Sequence, residues 1–210
     1  SAASDVYKRQ HNEGINSSSP VLAKLWMFWG NFFAISEKDF LANYSTGAYQ
    51  REIIRPNLNQ SFEKMVYDVT TSWAMIHHLD NSESAGPKSI TARDEWRRRK
   101  KEPATINENH ARELLELHTV SPAAGYTQED VIQLSKVMTG WKANYYKSDY
   151  VDWKNPVKFD PFIHEPKEKK ILGKTYNSKD SKINAKDQLF AVIDDLCASD
   201  HCRRFISTKL

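Results

Sequence analysis

The chain has 210 residues and a mass of 24.3 kDa, with 40% hydrophobic residues and six tryptophans. That is enough for one packed core with embellishments and excludes a disordered chain. A net charge of +3 is too weak a field to point to nucleic acid, and no apolar run approaches the roughly 20 residues of a membrane span.

The opening Ser1–Gln10 (SAASDVYKRQ) reads like translated linker sequence at the end of an assembled metagenomic read. His11–Ser19 is polar and serine-rich and reads as a loop or fraying end. Residues 1–19 are therefore set aside as an artefact or disordered segment. Residues 20–210 are expected to form a single helical domain, truncated at both ends, since the chain stops within helical pattern at Lys209-Leu210.

From Pro20, which suits a first helical position, Val21, Leu22, Leu25, Trp26, Phe28, Trp29, Phe32 and Phe33 recur at helical spacing and predict a buried aromatic face. A short helix is expected over Ser36–Asn43, and another from Thr46 to Arg55, where Pro56 interrupts it. Ser61 is placed to cap a further helix whose apolar face is Phe62, Met65, Val66, Val69, Trp73 and Ile76. His77 and His78 diverge by about 100° on that helix and read as ordinary residues. Leu79-Asp80-Asn81 marks a helix end before the Ser/Gly/Pro-rich loop Ser82–Ser89, where an Asp-Asn pair serves the backbone. The basic run Arg97–Lys101 reads as a solvated connection, without the interleaved aromatics of a nucleic-acid groove.

The most informative stretch is Asn107–Trp141. Asn107, Glu108 and Asn109 supply a helix start. Ala111, Leu114, Leu115 and Leu117 then fall on one broad side, with Glu108, Arg112 and Glu116 in a row opposite. His118 lies on the apolar side, as a core residue or as a ligand or proton-transfer group. Thr127 with Asp130 makes a shortened capping box for a second helix, which ends near Gly140 and Trp141. Beyond Trp141 the period weakens. Val157–Phe159 and Ile171–Tyr176 are expected to pair as a small β-hairpin around His164-Glu165-Pro166. Ala185–Cys197 and Asp200–Leu210 return to amphipathic helix. Cys197 and Cys202 allow a disulfide or two thiols, and form no zinc site. The predicted class is all-α, an irregular multi-helix bundle with one small hairpin near 157–176.

The strings NENHARELLELHT and GYTQEDVIQLSKVMTGW resemble the signature of the bacterial family known as domain of unknown function 1800. WMFWGNFFAIS, HEPKEKKILGKTY and DDLCASDHCRRFISTKL agree with it, as does the stretch from Arg51 to Ser89. His164, Lys169 and Gly173 match its H-x4-K-x2-LG element. The resemblance implies a large exported bacterial protein, mainly helical, periplasmic or extracellular, with no agreed activity. Relatives carry histidines in a pattern like WHNHF where this chain has Trp29-Gly30-Asn31-Phe32-Phe33, which weakens any metal-dependent reading.

Two functions follow. In the first, the chain is an enzyme acting on polysaccharide or cell-envelope material, with Glu108, Arg112, Glu116, His118 and His164 as its candidate catalytic groups. Glu108 and Glu116 would lie about 12 Å apart along a helix, too far for a glycosidase pair, so one of them would work with His118 or His164. In the second, the chain is a non-catalytic helical module of an exported complex, and the polar row is structural. Asp80, Asn81, Asn107, Asn109, Thr127, Asp130, Gly140, Trp141 and Gly173 are read as structural. No metal ligand set and no cofactor motif is legible: there is no nucleophile elbow, glycine-rich phosphate loop, HExxH or CxxC. A partner protein or a polysaccharide is the expected partner.

Overall fold

The structure is a computed structural model that describes residues 2–36, 40–99, 105–146, 150–152, 154–176 and 184–210. It is mainly helical and falls into two compact units, Ser1–His78 and Leu79–Leu210.

The first unit holds α1 (Ala2–Asn16), α2 (Pro20–Phe32), α3 (Phe40–Tyr49), α4 (Phe62–Thr70) and α5 (Trp73–His78). The opening residues, read from sequence as a remnant followed by a loop, are helical as far as Asn16 and pack on α2 and α3. In α2 only part of the expected face turns inward. Trp26, Trp29 and Phe33 are buried, while Val21 and Leu22 are 69% and 39% exposed. Trp26 Nε1 donates to Gln50 Oε1 at 3.0 Å, and Tyr49 Oη donates to the Phe33 carbonyl at 2.9 Å, so these two core aromatics have their polar atoms matched. Burial drives the Tyr49 hydroxyl pKa well up.

After α3 the chain continues as a π turn over Gln50–Ile54 and a 3₁₀ turn over Arg55–Asn59, in which Pro56 sits without demanding an N–H bond. The expected start of the preceding helix at Glu37–Asp39 lies outside the described residues. The single helix expected from Phe62 to Ile76 is broken between α4 and α5. There Thr71 Oγ1 bonds the Tyr67 carbonyl and Ser72 Oγ the Val69 carbonyl, competing with the helical ladder. Ser61 occupies the N-cap of α4 but makes no side-chain cap bond. His77 stacks on Trp73 and His78 Nδ1 meets Ser36 Oγ at 2.9 Å, both local roles.

The second unit holds α6 (Ile90–Arg99), α7 (Asn109–Glu113), a π segment over Leu114–Thr119, α8 (Gln128–Met138), α9 (Asp187–Ala198) and α10 (Asp200–Lys209). Its core is Leu114, Leu115, Val131, Leu134, Met138, Ile171, Leu189, Ile193 and Leu196. Among the described residues are three two-stranded antiparallel sheets. β1 (Trp141–Ala143) pairs with β4 (Val157–Phe159), Trp141 opposite Phe159; β2 (Tyr145–Tyr146) pairs with β3 (Tyr150–Val151). β5 (Lys169–Ile171) and β6 (Lys174–Tyr176) form a hairpin.

A hairpin therefore lies within 157–176, but with different partners from those expected. Leu172 and Gly173 both take positive φ, 47° and 81°, the backbone of a two-residue hairpin turn. That turn closes β5 on β6 locally and leaves 157–159 to the strand that follows Gly140.

Candidate functional site

The row expected on α7 is only partly assembled. Glu108 and Arg112 keep their helical spacing, and Arg112 Nη2 donates to Glu108 Oε2 at 2.9 Å. Gln128, from the first turn of α8, closes a triangle: its Oε1 accepts from Arg112 Nη2 at 2.9 Å and its Nε2 donates to Glu108 Oε2 at 2.7 Å. Arg112 and Glu108 side chains remain 41% and 31% exposed.

Past Glu113 the helix widens. Thr119 Oγ1 and the Val120 N–H reach back five residues, to the Leu114 and Leu115 carbonyls at 2.6 and 3.1 Å. Glu116 lies within this widened turn and is not bonded to Arg112. Its Oε2 instead accepts from the Tyr126 hydroxyl at 3.4 Å, and it faces Glu113, whose carboxyl pKa is raised by burial and by the Glu116 charge. The same widening turns Leu117, expected inside, half out to solvent at 50%. His118 is buried in the π segment at 5% exposure, on the core side as read.

His164 belongs to another constellation, a deeply buried polar cluster. Its Nδ1 lies 2.7 Å from the Thr139 carbonyl, which can only accept, so Nδ1 carries the proton. Nε2 is therefore the acceptor for the Lys169 ammonium at 3.1 Å. Lys169 Nζ also donates to the Glu165 carbonyl at 2.6 Å and to Gln188 Oε1 at 2.9 Å, using all three donors. Thr139 Oγ1 accepts from the Glu165 N–H at 2.8 Å and donates to the Lys136 carbonyl at 2.7 Å. Burial, then the Lys169 charge, pushes the His164 pKa down to about 4, against the Thr139 and Gln188 bonds. Burial also lowers Lys169 to about 8, with Glu165 opposing. Near neutral pH the pair is thus a neutral imidazole against a cationic amine.

The structural residues frame this cluster. Asn81 Nδ2 donates to the Met138 and Trp141 carbonyls at 3.1 and 2.7 Å, tying the turn after Leu79 to the end of α8. Asn107 Nδ2 reaches the Asp80 carbonyl at 3.2 Å, and its Oδ1 accepts from the Asn109 N–H at 2.9 Å. Asp80 itself takes a left-handed backbone, φ 56°. Gly140, at φ 96°, approaches the Asp160 carbonyl so closely that a Cβ would lie 2.9 Å from it, beside His164. Thr127 and Asp130 make the expected capping box, and Asp130 Oδ1 accepts from the Leu172 N–H at 2.7 Å, which fixes the turn that ends at Gly173. The loop Ser82–Ser89, expected to matter if it folded over the Glu108 row, folds over Glu165 instead: the Gly86 N–H bonds the Ile163 carbonyl and the Lys88 N–H bonds Glu165 Oε2.

Sequence reading placed Lys169 in the H-x4-K-x2-LG element without giving it a role, and missed Gln188, Gln128 and Gly86 as framework residues. Lys169 had a signal, because strand alternation places it on the same face as Ile171. Gln188 had one as well, four residues before Val192 on the inner face of α9. Gln128 and Gly86 act through distant partners and had none.

Two of the clefts among the described residues of this unit bear on the site. One, of about 580 Å³, is lined by Lys88, Arg93, His164, Lys167 and apolar neighbours. The other, of about 370 Å³, lies between Val120, the β5–β6 hairpin and α9, where Asp195 accepts from the Tyr176 hydroxyl at 2.7 Å. Neither is lined by Glu108, Arg112 or Glu116. Cys197 and Cys202 carry no disulfide; Cys202 is buried and hydrogen-bonded to Cys197. Among the described residues no three His, Cys, Asp or Glu side chains are gathered around a common point suited to a metal. No described helix is long and apolar enough to cross a membrane.

These features define a mainly helical protein with small β appendages, organised around the α7–α8 hairpin and a buried His-Lys cluster. A family model described as a protein of unknown function (DUF1800) matches residues 2–210, and the chain belongs to that family. The match takes in most of the opening segment that was set aside on sequence grounds. No curated protein and no solved structure matches the chain.

Proposed function

We propose that this chain is a non-catalytic binding module of a bacterial protein working outside the cytoplasm, at the periplasm or cell surface. Its binding face is the cleft floored by His164. The bacterial source and the export rest on the family resemblance alone. The non-catalytic reading rests on one observation: two of the candidate catalytic groups, His164 and Glu108, spend polar atoms on the framework. Both His164 nitrogens are engaged, by the Thr139 carbonyl and the Lys169 ammonium. Glu108 Oε2 is held by Arg112 and Gln128 together. A general base needs a nitrogen or oxygen directed at a reacting proton, and a proton-transfer partner within reach. His164 shares no hydrogen bond with Glu108, Arg112 or Glu116, so the pairing that an acid–base enzyme needs is not built around it.

The test is product release from bacterial envelope polysaccharide, measured for the wild-type chain, E108Q and H164Q. The module reading expects no product above buffer in any of the three. Product from the wild type that disappears in a folded E108Q or H164Q chain would overturn it and restore the enzyme.

A further inference from the structure

The cleft beside His164 has a chemical character that the framework does not require. Lys88, Arg93 and Lys167 all line it, and none of its lining residues is acidic. Its walls are otherwise apolar, from Ile90, Pro166 and their neighbours. The buried carboxylate of Glu165 is not part of the lining and accepts from the Lys88 backbone N–H at 2.8 Å. Three cations around one concavity repel one another, an arrangement that a structural role alone does not explain.

The cations are also held. Arg93 Nε donates to the Ser89 carbonyl at 3.3 Å, fixing the guanidinium at the start of α6. Lys167 stands at φ 78°, a costly backbone for a residue with a Cβ, and its carbonyl is reached by Gln188 Nε2 at 3.5 Å. Beneath the floor, the Lys169 ammonium sits one hydrogen bond behind His164, a fourth positive charge buried where screening is weak. A volume of about 580 Å³ falls within the range that small-ligand pockets occupy.

We propose that this cleft binds a small polyanion, a ligand presenting two or more carboxylate or phosphate groups on a compact apolar body. Arg93 supplies the bidentate contact, Lys88 and Lys167 supply point charges, and the Ile90 and Pro166 side takes the apolar body. This names a ligand class for the binding-module reading and rests on it.

The experiment is calorimetric titration of the whole chain with trigalacturonate, as a carboxylate source, and with inorganic triphosphate, as a phosphate source. Maltotriose serves as the neutral control. The expected result is saturable binding of at least one anion, weakened by added salt, and none of maltotriose; the better anion identifies the source. Lys88, Arg93 and Lys167 are exposed, so K88A/R93A/K167A should keep the wild-type unfolding midpoint while binding falls roughly tenfold or more. K167A alone tests the strained position without removing the other two charges.

No saturable binding of either anion at millimolar concentration overturns the proposal, as does equal binding by the triple variant. In that case the module reading survives with another partner. Release of product from polysaccharide would instead sink the module reading and leave the anion titration to stand on its own.

Discussion

Asp130 and Leu172, 42 residues apart, are joined by a hydrogen bond of 2.7 Å from the Leu172 N–H to Asp130 Oδ1. The other oxygen of the same carboxylate accepts from the Thr127 N–H at 2.7 Å and also from its hydroxyl. One side chain thus starts α8 and holds the β5–β6 turn against it. D130A should cost about 2–3 kcal/mol, the sum of a lost cap and a charge-assisted bond. The Asp130 pKa is lowered despite its partial burial, because the Thr127 and Leu172 bonds favour the ionised form. Its contribution is present above the ordinary carboxyl range and is lost as pH falls through the lowered value. Urea unfolding of D130A and wild type over the acid range measures both, and curves that stay parallel would contradict the pH assignment.

His164 sets a second pH dependence, at higher pH. Its folded pKa is about 4, against an unfolded value near 6.5. Between these values the unfolded chain takes up a proton that the folded one refuses. Stability is therefore full above about pH 6.5 and falls by roughly 2–3 kcal/mol as pH drops towards 4. H164Q should flatten that slope while lowering stability at neutral pH. Histidine ring nitrogen shifts followed by NMR give the pKa directly; a value above 6 would refute the assignment.

Lys169 is the costliest residue of the cluster to remove. K169M leaves the His164 Nε2, the Glu165 carbonyl and Gln188 Oε1 buried without their donor, a loss of about 3–5 kcal/mol. Adding Q188L removes one stranded acceptor but also the donor to the Tyr176 carbonyl, so the double variant should cost less than the sum of the two single ones. Thermal unfolding of the single and double variants checks the order; a K169M chain as stable as wild type would mean that the ammonium is not bound as described.

The Glu108–Arg112–Gln128 triangle is half-exposed, and its energetic weight is small. R112A should cost less than about 1 kcal/mol, and a double-mutant cycle of Arg112 with Gln128 should give a coupling of a few tenths. A cost near that of a buried charge would show the triangle to be enclosed.

Gly86 makes the closest backbone approach near the cleft. A Cβ there would lie 2.5 Å from Glu165 Cα, and neither backbone has room to give. G86A should destabilise the chain by about 1–3 kcal/mol and loosen the loop that carries Lys88. Faster amide exchange at Gly86 and Lys88 is the accompanying signature.

The start of α8 was legible because its signal is local, and the Thr127–Asp130 box holds as read, whereas the helical opening at Ala2–Asn16 and the α4–α5 break were not. The β5–β6 turn was not legible either, because a leucine is locally disfavoured at φ 47°, and the Asp130 bond that stabilises the turn comes from another element. That Arg112 bonds Gln128 and Glu116 accepts from Tyr126 was hidden for a similar reason, since both partners come from outside α7, and a π turn leaves no mark in composition. His164 was singled out, yet its chemistry was hidden, since Lys169, Gln188 and Thr139 reach it only through the fold.

The π segment makes residue count, more than residue type, the determinant of this helix's two faces. Deleting one residue between Leu115 and His118 would let the turn tighten to ordinary helical pitch. The widened turn already holds one residue more than an ordinary turn, so everything downstream would keep nearly the same face. The same deletion within the regular helix α8 would rotate everything beyond it by about 100° and shorten it by about 1.5 Å. Loss of a single residue should therefore be tolerated better within Leu114–Thr119 than within Gln128–Met138.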